Sequence, residues 1–222
     1  MLAVSALVGG FASGLAAQER HEISGTRVGI YNLAGQVTLE PGRGSAVVVE
    51  MTRGGRDARE LIVERGPIRD RETLRVIYPA DEIRYPTLGW RSDTELPVRD
   101  DGTFGDSDVG REGRWSGRRV RIWDRGDFEA FADLRISVRC ELASNPTSLD
   151  VDTGSGSVTL TLPASYGATV EIETGSGGID VDFPVEARRF GSDHLTGRIG
   201  DGRGTLRVDT GSGSVRILKR AS

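Results

Sequence analysis

Cysteine is almost absent: Cys140 is the only one in 222 residues. One thiol cannot build an intramolecular disulfide framework, so stability must come from burial and strand pairing. Cys140 shares parity with Leu134, Ile136, Val138 and Leu142, which places it inward as a small core hydrophobe. Histidine is nearly as scarce, with only His21 and His194. Two isolated imidazoles and one inward thiol do not make a zinc site. Lys219 is the only lysine, so arginine carries almost all the positive charge. The net charge of −4 gives no basic footprint for nucleic acid. No apolar run reaches the ~20 residues that a membrane-crossing helix needs.

Charge is missing locally as well. Residues Met1 to Ala17 carry no charged side chain and end in Gly14-Leu-Ala-Ala17, followed by Gln18-Glu19-Arg20. Small residues at that junction suit signal-peptidase cleavage after Ala16 or Ala17. The alternative is a buried apolar helix at the N-terminus. The junction has no cysteine for a lipid anchor. The expected organisation is a signal peptide over 1–17 and one β-repeat domain over 18–222, with an irregular insertion at 79–117.

Glycine, by contrast, is abundant at 31 residues, and it recurs within one repeated phrase. Leu149-Asp-Val-Asp-Thr-Gly-Ser-Gly-Ser-Val-Thr-Leu160 returns as Val170-Glu-Ile-Glu-Thr-Gly-Ser-Gly-Gly-Ile-Asp-Val181. It returns again as Leu206-Arg-Val-Asp-Thr-Gly-Ser-Gly-Ser-Val-Arg-Ile217. Apolar and polar residues alternate on both sides of the Gly-Ser-Gly, the period of a strand with one face buried. Glycine lets the chain bend between them. Each phrase therefore reads as strand, corner, strand.

Such a unit cannot bury its apolar side alone, and stacking units share a core as in a solenoid. Val151, Ile172 and Val208 would form one inward column, and Val158, Ile179 and Val215 another. In the alternative, an antiparallel β-sandwich, the same bends would be hairpin turns. Val28 to Leu39 reads as a degenerate first copy, with Val28, Ile30, Val37, Leu39 and Gly35 at the places of Leu149, Val151, Val158, Leu160 and Gly156. Strands follow over Ala46–Met51, Glu60–Arg65 and Thr73–Tyr78, the last two separated by a turn at Gly66-Pro67. Alternation fails from Pro79 to Gly117 and resumes at Arg118–Trp123 and Leu134–Leu142. Pro184 to Gly204 reads as a loop ending in a tight, glycine-rich corner.

Few residues suggest chemistry. Asp152-Thr-Gly-Ser155 and Asp209-Thr-Gly-Ser212 resemble the active-site tetrad of pepsin-like aspartic proteases, in which two carboxylates share one proton. Too little chain separates the copies for one lobe each. A third copy with Glu173 intervenes, and the alternation points these acids to a wet face. Stacking would place Asp152, Glu173 and Asp209 in a carboxylate column about 4.8 Å apart, repelling by about 1 kcal/mol per pair in water. That column is either a weak cation site, with Ca²⁺ the best fit to oxygen ligands, or a solvated acidic face. Asp150, Asp152, Glu171 and Glu173 are the acids a polysaccharide-active enzyme would use, without a catalytic spacing to support it. Gly200 to Gly204 lacks the Lys-Ser/Thr of a phosphate loop. Tyr85, Trp90, Phe104 and Trp115, spread through the insertion, are candidates for a contact surface. The alternative is that Trp90 and Trp115 cap an open end of the stack.

The stretch Leu149–Ile217, with its Thr-Gly-Ser-Gly corners, Leu162-Pro163 and Gly197-Arg-Ile-Gly-Asp-Gly-Arg-Gly204, resembles a bacterial family of β-strand-repeat adhesin-like domains of unknown function. Val28–Leu39 and Leu134–Leu142 match more loosely. The resemblance implies an all-β, right-handed β-solenoid with glycine-rich corners, and carries over no catalytic residues. The reading is an exported, non-catalytic module, periplasmic, cell-surface or secreted, without cofactor. It would bind an envelope glycan or protein, or dock on an envelope partner.

Overall fold

A computed structural model describes residues 18–42, 46–88, 93–105, 117–138, 148–162, 166–182 and 184–219. The 1–17 segment, Cys140, Trp90 and Trp115 lie outside the described residues.

Every long element is a strand. The chain opens with β1 (Gln18–Ile23), β2 (Arg27–Ala34), β3 (Val37–Pro41) and β4 (Val47–Gly54). After a short 3-10 turn come β5 (Ile62–Ile68) and β6 (Arg71–Ile77), then β7 (Glu82–Arg84), β8 (Thr94–Val98), β9 (Arg118–Trp123), β10 (Phe128–Glu129) and β11 (Phe131–Val138). The repeated region supplies β12 (Ser148–Ser155), β13 (Val158–Leu162), β14 (Ala168–Thr174) and β15 (Ile179–Val181). It continues with β16 (Val185–Phe190), β17 (His194–Ile199), β18 (Gly204–Ser212) and β19 (Val215–Lys219).

These strands form a β-solenoid with two main faces. The first strand of each phrase enters an eight-stranded sheet in the order β16-β17-β14-β18-β12-β2-β6-β5. The second strand enters a seven-stranded sheet in the order β1-β4-β11-β3-β13-β19-β15. Pairing among β2, β12, β18 and β14 is parallel, as it is among β3, β13, β19 and β15. The Gly-Ser-Gly bends thus carry the chain from one sheet to the other, where a sandwich of hairpins would return it to the same sheet. Val28, Ile30, Val151, Val208, Ile172 and Val170 line one inner wall, and Val37, Val158, Val215, Leu39, Leu160 and Ile217 the other. All are 2% exposed or less.

The degenerate copy takes the register its sequence suggests. Ile30 pairs with Val151, and Val37 with Val158. The stacking order differs from sequence order, however. The third phrase lies between the first and the second, because β18 fills a slot between β12 and β14, and β19 one between β13 and β15. The inward columns are therefore Ile30–Val151–Val208–Ile172 and Val37–Val158–Val215–Ile179. The detour that permits this is the β16–β17 hairpin, where the sequence had suggested a loop.

Two more expectations change. The turn between β5 and β6 falls after Ile68, with Arg69 at φ 57°, and not at Gly66-Pro67. Those residues continue β5, an edge strand, where the missing proline N–H removes no ladder bond. The insertion at 79–117 is also not uniformly irregular. It contributes β7 and β8 to a four-stranded sheet ordered β10-β7-β9-β8. Ile83, Val98, Val120 and Ile122 of this sheet are at most 3% exposed.

This small sheet forms a third layer on the outer side of the eight-stranded sheet. Phe104 meets Tyr31 edge-on at 5.7 Å, and Thr94 Oγ1 lies 2.5 Å from Ser212 Oγ. The consequence is visible strand by strand. β14 alternates buried and exposed along its whole length, whereas β2 and β12 are buried on both faces after their first residue. Near-identical phrases thus have different environments, decided by what lies above them.

Candidate functional site

The outward side chains of the eight-stranded sheet form cross-strand rows. One row runs Arg75, Tyr31, Asp152, Asp209, Glu173, His194 across β6, β2, β12, β18, β14 and β17. The row beside it runs Thr73, Gly29, Asp150, Arg207, Glu171, Thr196. Asp152 and Asp209 therefore stand next to each other, and both converge under Gly105. A methyl group at Gly105 would lie 3.0 Å from Asp152 Oδ1 and 3.9 Å from Asp209 Oδ2.

The roof changes the chemistry of these acids. Asp152 is 4% exposed and Asp150 8%, which corrects the expectation of a wet acidic face for both. Glu171 and Glu173, beyond the roof, are exposed as expected. Loss of solvent pushes the Asp152 carboxyl up from 3.8 to about 8, and the adjacent Asp209 adds to the rise. Arg207 and Arg71 oppose it, while Asp150 reinforces it. Burial thus favours the protonated form of Asp152 well above the usual carboxylate range. Asp150 is held by Arg71, whose Nη1 lies 2.8 Å from its Oδ2. Arg71 reaches Asp150 across Gly29, where a methyl group would meet Arg71 Cδ at 3.0 Å.

Asp152, Glu173 and Asp209 do share a row, as expected for the cation candidates. Among the described residues, though, no group of three or more His, Cys, Asp or Glu is placed to hold a metal ion. A protonated Asp152 is also a poor oxygen ligand.

The phrase's glycines and threonines build a second feature at the corner. Gly35, Gly156, Gly213 and Gly177 have φ of 133°, 135°, 132° and 151°. A methyl group on Gly156 would lie 1.9 Å from Gly35 O, on Gly213 2.3 Å from Gly156 O, and on Gly177 2.1 Å from Gly213 O. Each coil thus rests on the backbone of the next, which only glycine permits. The threonine before the corner supports this contact. Thr210 Oγ1 donates to Gly156 O at 3.1 Å and Thr174 Oγ1 to Gly213 O at 2.7 Å. In the degenerate copy Asn32 takes this place, donating through Nδ2 to Ala132 O at 2.8 Å.

Between this ladder and the Tyr85–Leu88 segment lies a groove of about 250 Å³. Ser157, Ser176, Ser212 and Ser214 line one side, and Tyr85, Thr87 and Leu88 the other. Ser176 Oγ and Ser212 Oγ are 3.0 Å apart. The same corner positions hold Ser155, whose buried Oγ has no hydrogen-bond partner among the described residues.

Of the aromatic candidates for a contact surface, Tyr85 and Phe104 are 3% and 5% exposed. They do not form an open face, because they pack between the layers: Tyr85 tilts against Phe131 at 5.5 Å, and Phe104 covers Tyr31. The outer layer itself went unread in the sequence. Its signal is in β2, where Tyr31 and Leu33 put apolar side chains on the face that strict alternation reserves for water.

Residues 137–218 match the family described as Toastrack DUF4097, a domain of unknown function. The match takes in the three explicit phrases and the hairpin between them, and leaves out the N-terminal copy and the third layer. A solved structure described as a putative cell adhesion protein from Clostridium sporogenes is similar at 10% identity and a TM-score of 0.33. The alignment covers 92% of this chain and 99% of that one. No curated protein matches the chain.

Proposed function

We propose that this chain is an exported, non-catalytic β-solenoid that works as a binding or scaffold module at the cell envelope, with a glycan or protein as its partner. The observation that supports this most directly is the corner groove. Ser157, Ser176 and Ser214 present exposed hydroxyls along it, with Thr87 and Leu88 opposite. Exposed hydroxyls facing an aliphatic side chain suit a polyhydroxylated ligand, which offers many hydrogen-bonding groups and apolar C–H faces. Burial of Asp150 and Asp152 argues against the polysaccharide-active reading, because a substrate chain cannot reach them beneath the roof.

The test starts from Gln18, the first residue of β1, after mass spectrometry has checked processing at Ala16 or Ala17. That protein is passed over fractionated cell envelope and soluble polysaccharides at low and high salt. Ser157 and Ser214 line the groove and are solvent-exposed, so Ser157→Leu and Ser214→Leu block it without touching the core. Retention on a polysaccharide that both variants abolish supports the reading. Retention of one defined protein, unaffected by either variant, moves the function to docking on another face. Absence of retention on every fraction overturns it and makes a hydrolase screen the next step.

A further inference from the structure

One end of the eight-stranded sheet is closed by β16, whose six residues are exposed except for half-buried Val185. Phe190 is 64% exposed. An edge of this kind offers unpaired N–H and C=O groups to another strand. The opposite edge, β5, carries exposed Ile62 but also Pro67, which removes a donor and blunts that edge.

The register of β16 against β17 holds an irregularity with a useful outcome. Val185, Glu186 and Ala187 pair with Ile199, Arg198 and Gly197. Arg189 and Phe190 then pair with Thr196 and Leu195, so Arg188 is the extra residue of a bulge. Residues opposite one another share a face of the sheet. Ile199 and Leu195 are buried, so Val185, Ala187 and Phe190 lie on the core side, and Glu186 and Arg189 on the outer side. On a regular strand, positions five apart face opposite ways. The bulge brings Val185 and Phe190 to the same face.

With that correction, Val-Glu-Ala-Arg-Arg-Phe becomes self-complementary. Turned antiparallel about a two-fold axis at Ala187, a second β16 sets its Phe190 against Val185 and its Arg189 against Glu186, each contact occurring twice. Glu186 already accepts from Arg198, with Nε at 3.1 Å, so a second guanidinium would complete a short charged row on the outer face. Two-fold pairing through one shared patch is the commonest form of self-association.

We infer that β16 is a homodimerisation edge, to which a second copy of this chain adds its own β16 antiparallel across Ala187. This is independent of the corner groove. An extended segment from another protein would use the backbone groups but not the paired charges.

Sedimentation velocity of the chain from Gln18 onward tests it. Dimer is expected to form with rising concentration below about 100 µM. Glu186→Arg alone, or Arg189→Glu alone, opposes like charges and weakens association by at least about tenfold. The double variant Glu186→Arg/Arg189→Glu restores it. Both sites are exposed, so an unchanged melting temperature verifies the fold of each variant. A monomer throughout the range overturns the inference. So does a dimer indifferent to the single reversals, a double variant that fails to recover, or a monomer that binds a foreign peptide along this edge.

Discussion

Asp152 and Asp209 occupy opposing positions on the parallel strands β12 and β18, and Gly105 lies over both carboxyls. The sequence writes the two sites alike, each as Asp-Thr-Gly-Ser. The third layer makes them unequal, because it buries Asp152 while leaving Asp209 half-exposed.

That inequality sets a pH dependence. Asp152 titrates near 8 in the folded protein and near 3.8 in the unfolded chain, so the folded state binds the extra proton between these values. Its stabilisation is fully present below about pH 4 and declines as pH rises through 8, at no more than about 1.4 kcal/mol per pH unit. Glu19, paired with Arg53, is shifted downward. Its contribution is present above its unfolded value of 4.5 and is lost as pH falls below that. Between pH 5 and 8 the decline from Asp152 is therefore not offset by Glu19. Thermal melts across that window should show the melting temperature falling, and Asp152→Asn should flatten the curve and raise the melting temperature at pH 8.

Corner glycines should divide sharply. Gly156→Ala combines φ of +135° with a methyl group 1.9 Å from Gly35 O. It is expected to cost about 3 kcal/mol or more in urea unfolding. Gly178, with nothing within 4 Å of an added methyl group, should accept alanine within about 0.5 kcal/mol.

Tyr78 is fully buried, and its hydroxyl lies 2.8 Å from Asn32 Oδ1 and 2.7 Å from Ala34 O. Tyr78→Phe keeps the ring, leaves one of these acceptors short of a donor and deprives Ala34 N–H of its acceptor. The expected loss is about 1–3 kcal/mol, read by the same unfolding experiment.

Calcium should have no stabilising effect. With Asp152 buried in a setting that favours its protonated form and Glu173 outside the roof, the acidic row offers no closed set of oxygens. About 5 mM Ca²⁺ should leave the melting temperature equal to that in EDTA. A rise of several degrees would restore the cation reading of Asp152, Glu173 and Asp209.

Much of the solenoid is legible in its alternation. Val151 facing inward, the bend at Gly156 and the kinship of Ile30 with Val151 all follow from period two and from glycine's reach. Burial of Asp152 does not, because alternation tells which face a side chain points to and not whether another layer covers it. Tyr31 and Leu33 carried that information as apolar residues on the outer parity. Stacking order is equally hidden: Thr153, Thr174 and Thr210 each stand between an acid and Gly-Ser-Gly, and only the β16–β17 hairpin determines which lies in the middle. The bulge at Arg188 leaves no trace in residue type, so Val185 and Phe190 read as facing opposite sides until the register is seen.

The slot filled by β18 also imposes a timetable. Strands β12 and β14 have no direct partnership, and the strand that joins them is made after both. A chain synthesised only as far as β17 holds two gaps, one in each sheet, and its repeats cannot lock together coil by coil as they emerge. Closure waits for the arrival of residues 204–219, which complete both walls in a single passage from β18 to β19. The molecule is thus assembled like an arch whose keystone is made after the two stones it joins.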